Sequence, residues 1–282
     1  MSFNQKILFT SVFIVALILG SGVWYYKKTH PQYVPPALKP EVTLTIIPGW
    51  NLRQVAEYLV KQGVASSTDE VYKITGQPAV DYRKKAVTLP KIDDLPILAD
   101  KPDYVSYEGY LAPETYRVFN DATILEVLKK LISQRDKQID DMIWQDIKKS
   151  GHSFYEILTM ASMLEEEVQN PEDKAKVSDI LWRRLAKGWA LQVDSSVHYA
   201  VDKTGDIFTT TKERGVDSPW NTYKYPDLPL GPIANPGLTA IKAALYPEKN
   251  EYWYFLTGKD NTVHYGKTLE EHNANKFKYL RK

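Results

Sequence analysis

Residues 153–168 read SFYEILTMASMLEEEV, and this stretch decides how the rest of the chain is interpreted. Ser153 and Glu156 have the spacing of a capping box, which sets the first turn of a helix. At about 100° per residue, the apolar side chains that follow share one face of that helix. We therefore predict a helix whose buried stripe consists of Phe154, Ile157, Leu158, Ala161, Leu164 and Val168.

Three consecutive glutamates close this stretch, and they point in different directions. Glu165 falls within the apolar stripe, whereas Glu166 and Glu167 lie outside it and are predicted to form a solvated face. A carboxyl group that loses water is harder to ionise, which favours a general acid near neutral pH. Glu165 is therefore the candidate catalytic acid. The alternative is a carboxylate paired with Arg or Lys, or one at the stripe edge that reaches back to water.

The N-terminal part of the chain has the pattern of a membrane anchor. Residues 7–26, ILFTSVFIVALILGSGVWYY, carry no charge. A helix that rises about 1.5 Å per residue spans a hydrocarbon layer of about 30 Å with such a run. We predict a retained transmembrane anchor within residues 1–30, rather than a cleaved signal peptide or a buried core helix. The four prolines of residues 30–40 predict an extended linker over 31–40, and the flanking lysines leave the orientation open.

The remainder is predicted to be an α+β fold with a small module followed by a larger domain. In the module, residues 42–46 alternate between apolar and polar side chains as a half-buried strand does, and Asn51 is placed to cap the helix that follows. We place this α+β module and its connector at residues 41–100, and a larger mixed α+β domain at 101–282. Helices are predicted across 122–133, 139–149, 154–168 and 171–187, a long loop across 218–236, and a hairpin across 252–257 and 262–265.

Composition excludes several classes of function. The formal charge of the 282-residue chain is +1, which gives no reason to expect a nucleic acid partner. There are no cysteines, so thiolate metal sites and disulfides are excluded. The five histidines are scattered without the spacing of a metal-binding motif. We therefore predict no metal site and no cofactor.

Five longer segments resemble one known family. In their order and spacing they are similar to the endolytic murein transglycosylases, also called the YceG-like family. The family's catalytic glutamate is the first acid of its A-S-I-V-E-K-E motif, a position that Glu165 occupies here. Ala112, Glu114 and Ser195 depart from the family pattern. The segments are EGYLAPETY (108–116), ASMLEEE (161–167), LWRRLAKGWALQVDSSVHYA (181–200), SPWNTYKYPDLPLGPIANPGLTAIKAAL (218–245) and KTLEEHN (267–273).

The resemblance implies an anchor in the cytoplasmic (inner) membrane, a LysM-like module with its connector at residues 41–100, and a catalytic domain outside the cytoplasm. It also implies cleavage within peptidoglycan glycan strands near the membrane, with cell-wall synthases as partners. Glu165 would protonate the glycosidic oxygen and then deprotonate the C6 hydroxyl, which closes a 1,6-anhydro ring. Donors and acceptors for the sugars are expected from Gln192, Asp194, Asn221, Tyr223, Asn235 and Glu108.

Other interpretations of the same residues remain open. Asn221 and Asn235 stand beside turns, where side-chain amides commonly fix loops. Glu108 is equally suited to a capping or salt-bridge role. At the level of the whole chain, one alternative is a non-catalytic scaffold that binds peptidoglycan. Another is a muramidase with two carboxylates, in which Asp194 is the second acid.

Overall fold

The computed structural model describes residues 3–30, 39–85, 87–203 and 209–280. The chain divides into two compact units, Met1–Pro40 and Glu41–Lys282. In the first unit, helix α1 spans Phe3–Thr29. Within the described ranges, the structure contains no helix that combines the length and hydropathy of a membrane-crossing segment. Of the linker predicted at 31–40, only residues 39 and 40 are among the described residues. The side chains of residues 4–15, in the predicted anchor, also lie outside the described part of the chain.

The second unit has a mixed α+β fold, as predicted. It contains helices between and around two short two-stranded sheets. Its strands are β1 (Glu41–Thr45), β2 (Thr115–Phe119), β3 (Tyr254–Thr257) and β4 (Val263–Gly266). Its helices are α2 (Leu52–Lys61), α3 (Thr68–Thr75), α4 (Ile124–Gln138), α5 (Asp141–Ser150), α6 (Phe154–Glu167), α7 (Pro171–Ala186), α8 (Asp194–Val201), α9 (Thr211–Arg214), α10 (Leu238–Leu245) and α11 (Leu269–Tyr279), with 3₁₀ turns at Tyr82–Lys84 and Pro96–Leu98.

The four predicted helices of the larger domain are α4 to α7, and the predicted hairpin is the antiparallel pair of β3 and β4. The segment 218–236 has no regular helix or strand, in agreement with the predicted loop. Strand β2 and helices α8, α10 and α11 have no counterpart in the prediction. β2, α8 and α10 have eight residues or fewer, and such short elements carry too few periods to stand out in a sequence.

The first sheet joins the predicted module to the predicted larger domain. Strand β1 pairs antiparallel with β2, so that Glu41 lies opposite Phe119 and Thr45 opposite Thr115. Leu44 and its partner Tyr116 are both buried. The boundary predicted near residue 100 therefore falls inside a single compact unit.

Helix α2 begins beside this sheet through a capping box. The Asn51 side chain accepts from the backbone N–H groups of Arg53 and Gln54, and the Gln54 side chain accepts from the Asn51 N–H. Such a cap stabilises a helix by about 1 kcal/mol. The predicted cap at Asn51 is thus confirmed, and the face of α2 that carries Leu52, Val55, Ala56 and Leu59 is fully buried.

Helix α6 lies at the centre of the second unit and packs against α7, α8 and α10. The capping box at its start is confirmed, with Ser153 Oγ accepting from Glu156 N at 3.1 Å. The whole predicted stripe is buried, but so are Thr159, Met160, Ser162 and Met163 on the other faces. The helix is therefore enclosed on all sides up to its last turn, where the three glutamates emerge.

Candidate active site

Glu165 lies at the end of α6 with its side chain 12% exposed. Each of its carboxyl oxygens has one donor. Lys174 Nζ donates to Oε1 at 2.7 Å, and the backbone N–H of Gly237 donates to Oε2 at 2.9 Å. Glu165 thus faces inward as predicted, and it also has the lysine partner that the alternative interpretation required.

Lys174 is brought to this position by the start of α7. The Asn170 side chain caps the helix by accepting from Glu172 N, and Pro171 occupies its first turn. Only 5% of the Lys174 side chain is exposed. Lys174 shares the buried side of α7 with Val177 and Leu181, three and seven residues further on. This helical spacing is the sequence signal for Lys174, a residue that was not among the predicted site residues.

The N–H that faces Glu165 belongs to the loop that leads into α10. Gly237 is the N-cap of α10, so the Glu165 carboxyl lies next to the positive end of that helix. Arg135 supports the loop from behind, because its Nη2 donates to the Pro236 carbonyl at 2.6 Å. Arg135 is fully buried, and burial lowers the pKa of its guanidinium to about 10, although attraction to Tyr116 and Glu165 opposes this.

The two glutamates that follow Glu165 have different surroundings. Glu166 reaches the surface, as predicted, and its Oε1 lies so close to Gly49 that a Cβ added there would be 2.9 Å away. Partial loss of hydration, then repulsion by Glu167 and Glu165, raises the pKa of Glu166 to about 7. The prediction for Glu167 was wrong. It is partly covered by the first turn of α8, accepts from Ser195 N at 3.2 Å, and has its pKa raised by burial.

A cavity of about 210 Å³ opens beside Glu166. Its walls come from the start of α2, from α8 and from the residues that follow α8. Arg53 and Asp202 form an ion pair in one wall, with Nε and Oδ1 2.9 Å apart. Both hydrogen-bond donors and acceptors are therefore available to a ligand. The lining residues are Asn51, Arg53, Gln54, Glu166, Ser195, His198, Tyr199, Asp202, Lys203 and Ile233.

Glu108 and Asn235, both predicted to contact substrate, are buried in a structural network. Leu52 N donates to both Glu108 oxygens at 2.9 Å, and Asn235 Nδ2 donates to Glu108 Oε1 at 3.1 Å. Asn235 Nδ2 also donates to the Trp50 carbonyl, while its Oδ1 accepts from Leu111 N. The polar atoms of both side chains are thus used to join the turn after β1 to two other loops. Burial raises the pKa of Glu108 to about 7.

A second group of predicted residues surrounds the start of α8. Asp194 Oδ1 accepts from the Tyr223 hydroxyl at 2.6 Å and from the Thr209 hydroxyl. The Arg214 guanidinium lies 3.7 Å from the same oxygen. Asn221 is buried, and its Nδ2 donates to the Arg214 and Val216 carbonyls, which is the loop-fixing role.

Gln192 has an exposed side chain and a left-handed backbone with φ of +57°. Its N–H donates to the Thr222 carbonyl at 3.1 Å, which places Gln192 beside this second group. The structure therefore brings the predicted residues together in two groups, around Glu165 and around Asp194. The bond from Ser195 N to Glu167 links them. Among the described residues, no group of three or more His, Asp or Glu side chains is arranged to hold a metal ion.

Comparison with known proteins identifies relatives that match most of the chain. A protein of Bacillus subtilis (strain 168) named endolytic murein transglycosylase is 34% identical over 239 residues, covering 84% of this chain and 65% of the relative. A protein of the same name from Streptococcus pneumoniae (strain ATCC BAA-255 / R6) is 28% identical over 242 residues, covering 83% of this chain and 44% of the relative. The chain thus spans less than two thirds of the length of these relatives.

The fold also matches a solved structure. The crystal structure of a YceG-like protein from Listeria monocytogenes superimposes with a TM-score of 0.68 and 33% sequence identity, covering 88% of this chain and 78% of the other. The model of the YceG-like family matches residues 27–278, nearly the entire chain. The chain therefore belongs to the YceG-like family.

Proposed function

We propose that this protein is an endolytic murein transglycosylase, a lyase that cuts peptidoglycan between N-acetylmuramic acid and N-acetylglucosamine within a glycan strand. The observation that carries the proposal is the position of Glu165. Its carboxyl group is largely shielded from water and has a hydrogen-bond donor at each oxygen. The next residue along the chain, Glu166, lines a cavity that can receive a ligand. The names of the relatives support the same activity.

A single carboxyl group is sufficient for this reaction. Glu165 protonates the glycosidic oxygen while positive charge develops on the sugar ring, and the carboxylate then removes the proton from the C6 hydroxyl of the same sugar. The product end is a 1,6-anhydro ring. Hydrolysis by two carboxylates would need a second free acid. Asp194, the candidate second acid, belongs to the other group of residues, where Tyr223, Thr209 and Arg214 engage its Oδ1.

The proposal includes a location and a setting. The uncharged run at residues 7–26 supports attachment to the cytoplasmic membrane, with the second unit outside the cytoplasm. There the enzyme would act on nascent strands close to cell-wall synthases. Fractionation of cells expressing the full chain, with protease added to intact protoplasts, tests this. Membrane-bound, protease-accessible protein is expected, whereas protein recovered in the cytosol would contradict the location.

The activity is tested by mass spectrometry of the products released from purified peptidoglycan. We expect anhydro-muramyl ends from the wild type and a loss of about 10²- to 10⁴-fold for Glu165→Gln, the range typical of a lost general acid. Glu172→Gln serves as a matched control, because Glu172 is an exposed glutamate on the next helix. It should retain full activity.

Each remaining outcome identifies an alternative. Equal activity of Glu165→Gln and the wild type would overturn the assignment of the acid. Reducing ends that have gained water, in place of anhydro ends, would establish a muramidase. No turnover by the wild type under conditions in which it binds the strands would establish a scaffold.

A further inference from the structure

The surroundings of Glu165 raise a question about the proton that it must give away. Lys174 Nζ donates to one carboxyl oxygen and Gly237 N to the other. An ammonium group has three donors and no acceptor, and a backbone N–H is a donor as well. A proton on the Glu165 oxygen that faces Lys174 would point at a donor. The arrangement therefore fits a carboxylate, whereas a general acid needs a carboxyl group at the moment of cleavage.

We propose that Lys174 is a positioning residue that stores the catalytic proton and passes it to Glu165 when the glycan strand binds. This inference rests on the proposed function and goes beyond it. At rest the two side chains form a 2.7 Å ion pair, with 5% of Lys174 and 12% of Glu165 exposed. The proton that Glu165 needs is thus already within a hydrogen bond of its Oε1.

Substrate binding supplies the driving force. A bound strand displaces the remaining water from the pair, and charge separation is costly in a medium of low dielectric constant. Transfer of the proton along the existing hydrogen bond removes both charges. Among the described residues, Arg135 from α4 and Glu166 on α6 itself also interact electrostatically with Glu165, and they carry opposite charges. From the loop before α10, the backbone N–H of Gly237 faces the carboxyl.

The proton balance closes without a further reactant. An N–H bond of Lys174 breaks as an O–H bond forms on Glu165, which leaves a neutral amine and a neutral carboxyl group. The carboxyl proton passes to the glycosidic oxygen as the bond from that oxygen to C1 of the muramic acid breaks. The carboxylate then takes the C6 hydroxyl proton as the bond from the C6 oxygen to C1 forms. When the product leaves, this proton returns to the amine and restores the ion pair.

Two substitutions separate proton storage from the supply of positive charge. Lys174→Arg keeps the charge and donors, but a guanidinium does not release its proton in proteins. We expect its kcat to fall by at least about 100-fold with KM nearly unchanged, since the loss lies in the chemical step. Lys174→Met removes the store, so that Glu165 takes its proton from water. Its kcat should fall at least as far as that of Lys174→Arg, because this variant lacks both the stored proton and the positive charge.

The matched control is Lys176, on the same helix but 31% exposed and 3.9 Å from Glu248. Lys176→Arg and Lys176→Met should both keep the pH profile and kcat of the wild type. Thermal unfolding of every variant checks that it folds. A Lys174→Arg variant with kcat within about fivefold of the wild type would overturn the inference, because charge alone would then suffice.

Chemical rescue keeps the inference falsifiable if the larger arginine disturbs the fold. Lys174→Ala leaves a space beside Glu165, and added ethylamine should restore its kcat whereas guanidinium should not. Equal rescue by both cations, or rescue by neither in the folded variant, would overturn proton storage. Failure of the proposed function is distinct, since it would appear as an absence of anhydro ends from the wild type.

Discussion

Glu108→Gln tests whether one buried carboxyl group makes this protein less stable as pH rises. Glu108 is 2% exposed and accepts hydrogen bonds from Leu52 N and the Asn235 amide. Loss of hydration nevertheless outweighs these bonds and the attraction of Arg53, and raises the pKa of Glu108 from 4.5 to about 7. Glutamine keeps the shape of the side chain but does not ionise, so the substitution isolates the effect of the charge.

The sign and size follow from proton linkage. Because the pKa of Glu108 is raised in the folded protein, the folded chain binds more protons than the unfolded chain between about pH 4.5 and pH 7. The stabilisation is complete below the unfolded pKa and is lost as pH rises through the folded pKa. Each factor of ten in the proton equilibrium corresponds to about 1.4 kcal/mol, so Glu108 accounts for a loss of about 3 kcal/mol across this range.

Urea unfolding at about pH 4.5 and about pH 8, followed by circular dichroism, measures this loss. The fall in the free energy of unfolding should be about 3 kcal/mol smaller for Glu108→Gln than for the wild type. Contributions from Glu166 and Glu167 are common to both proteins and cancel in the comparison. Glu57→Gln, at an exposed position on α2, should leave the fall unchanged. The reasoning is refuted if Glu108→Gln shows the same fall as the wild type.

Two further substitutions, each paired with a control, test the loops around the candidate active site. In the same urea titration, Asn235→Ala should lower the free energy of unfolding by about 2–4 kcal/mol, because a buried backbone N–H loses its acceptor. The control Asn273→Ala, at an exposed position, should change it by less than about 0.5 kcal/mol. Gly49→Ala and Gly63→Ala both place a side chain at positive φ, +87° and +73°, and should each lose about 1–2 kcal/mol. The release of anhydro ends should fall for Gly49→Ala alone, because the new Cβ at position 49 would press on Glu166, whereas a Cβ at position 63 meets nothing within 4 Å. Equal activities of the two variants would contradict this.

The features that the sequence predicted well are local ones. The start of α6 depends on a capping box of four residues, and its buried stripe depends on spacing along a single helix. Both are therefore visible without knowledge of the fold. The same holds for the cap of α2 at Asn51 and for the loop at 218–236, which is predicted by its content of turn-forming residues.

The features that the sequence did not predict depend on partners far along the chain. Helical phase placed Glu167 on a solvated face, but the first turn of α8 covers it, and α8 itself was not predicted. The pairing of β1 with β2 joins segments on both sides of the expected domain boundary. No local period encodes such contacts, because they are set by how the packed elements meet.

The predicted substrate-binding residues show a related difficulty. Asn221 and Asn235 were recognised as polar residues beside turns, which left loop fixing and sugar binding equally open. The structure shows that both amides are occupied by backbone groups. A sequence does not reveal which carbonyl and N–H groups of a distant loop lack partners, so the choice could be made only in three dimensions.

The same network couples the turn after β1 to the candidate acid. Gly49 N donates to the Asn235 carbonyl at 3.0 Å, and Asn235 N donates to the Trp50 carbonyl at 2.9 Å, so the two loops are held together by their backbones. Two residues beyond Asn235, Gly237 donates its N–H to Glu165. Any movement of the β1–α2 turn must therefore move or break the contact that orients the carboxyl group. The predicted module and the candidate acid are thus joined through the backbone of one loop, so that a change in the geometry of the β1–α2 turn has a direct physical route to Glu165.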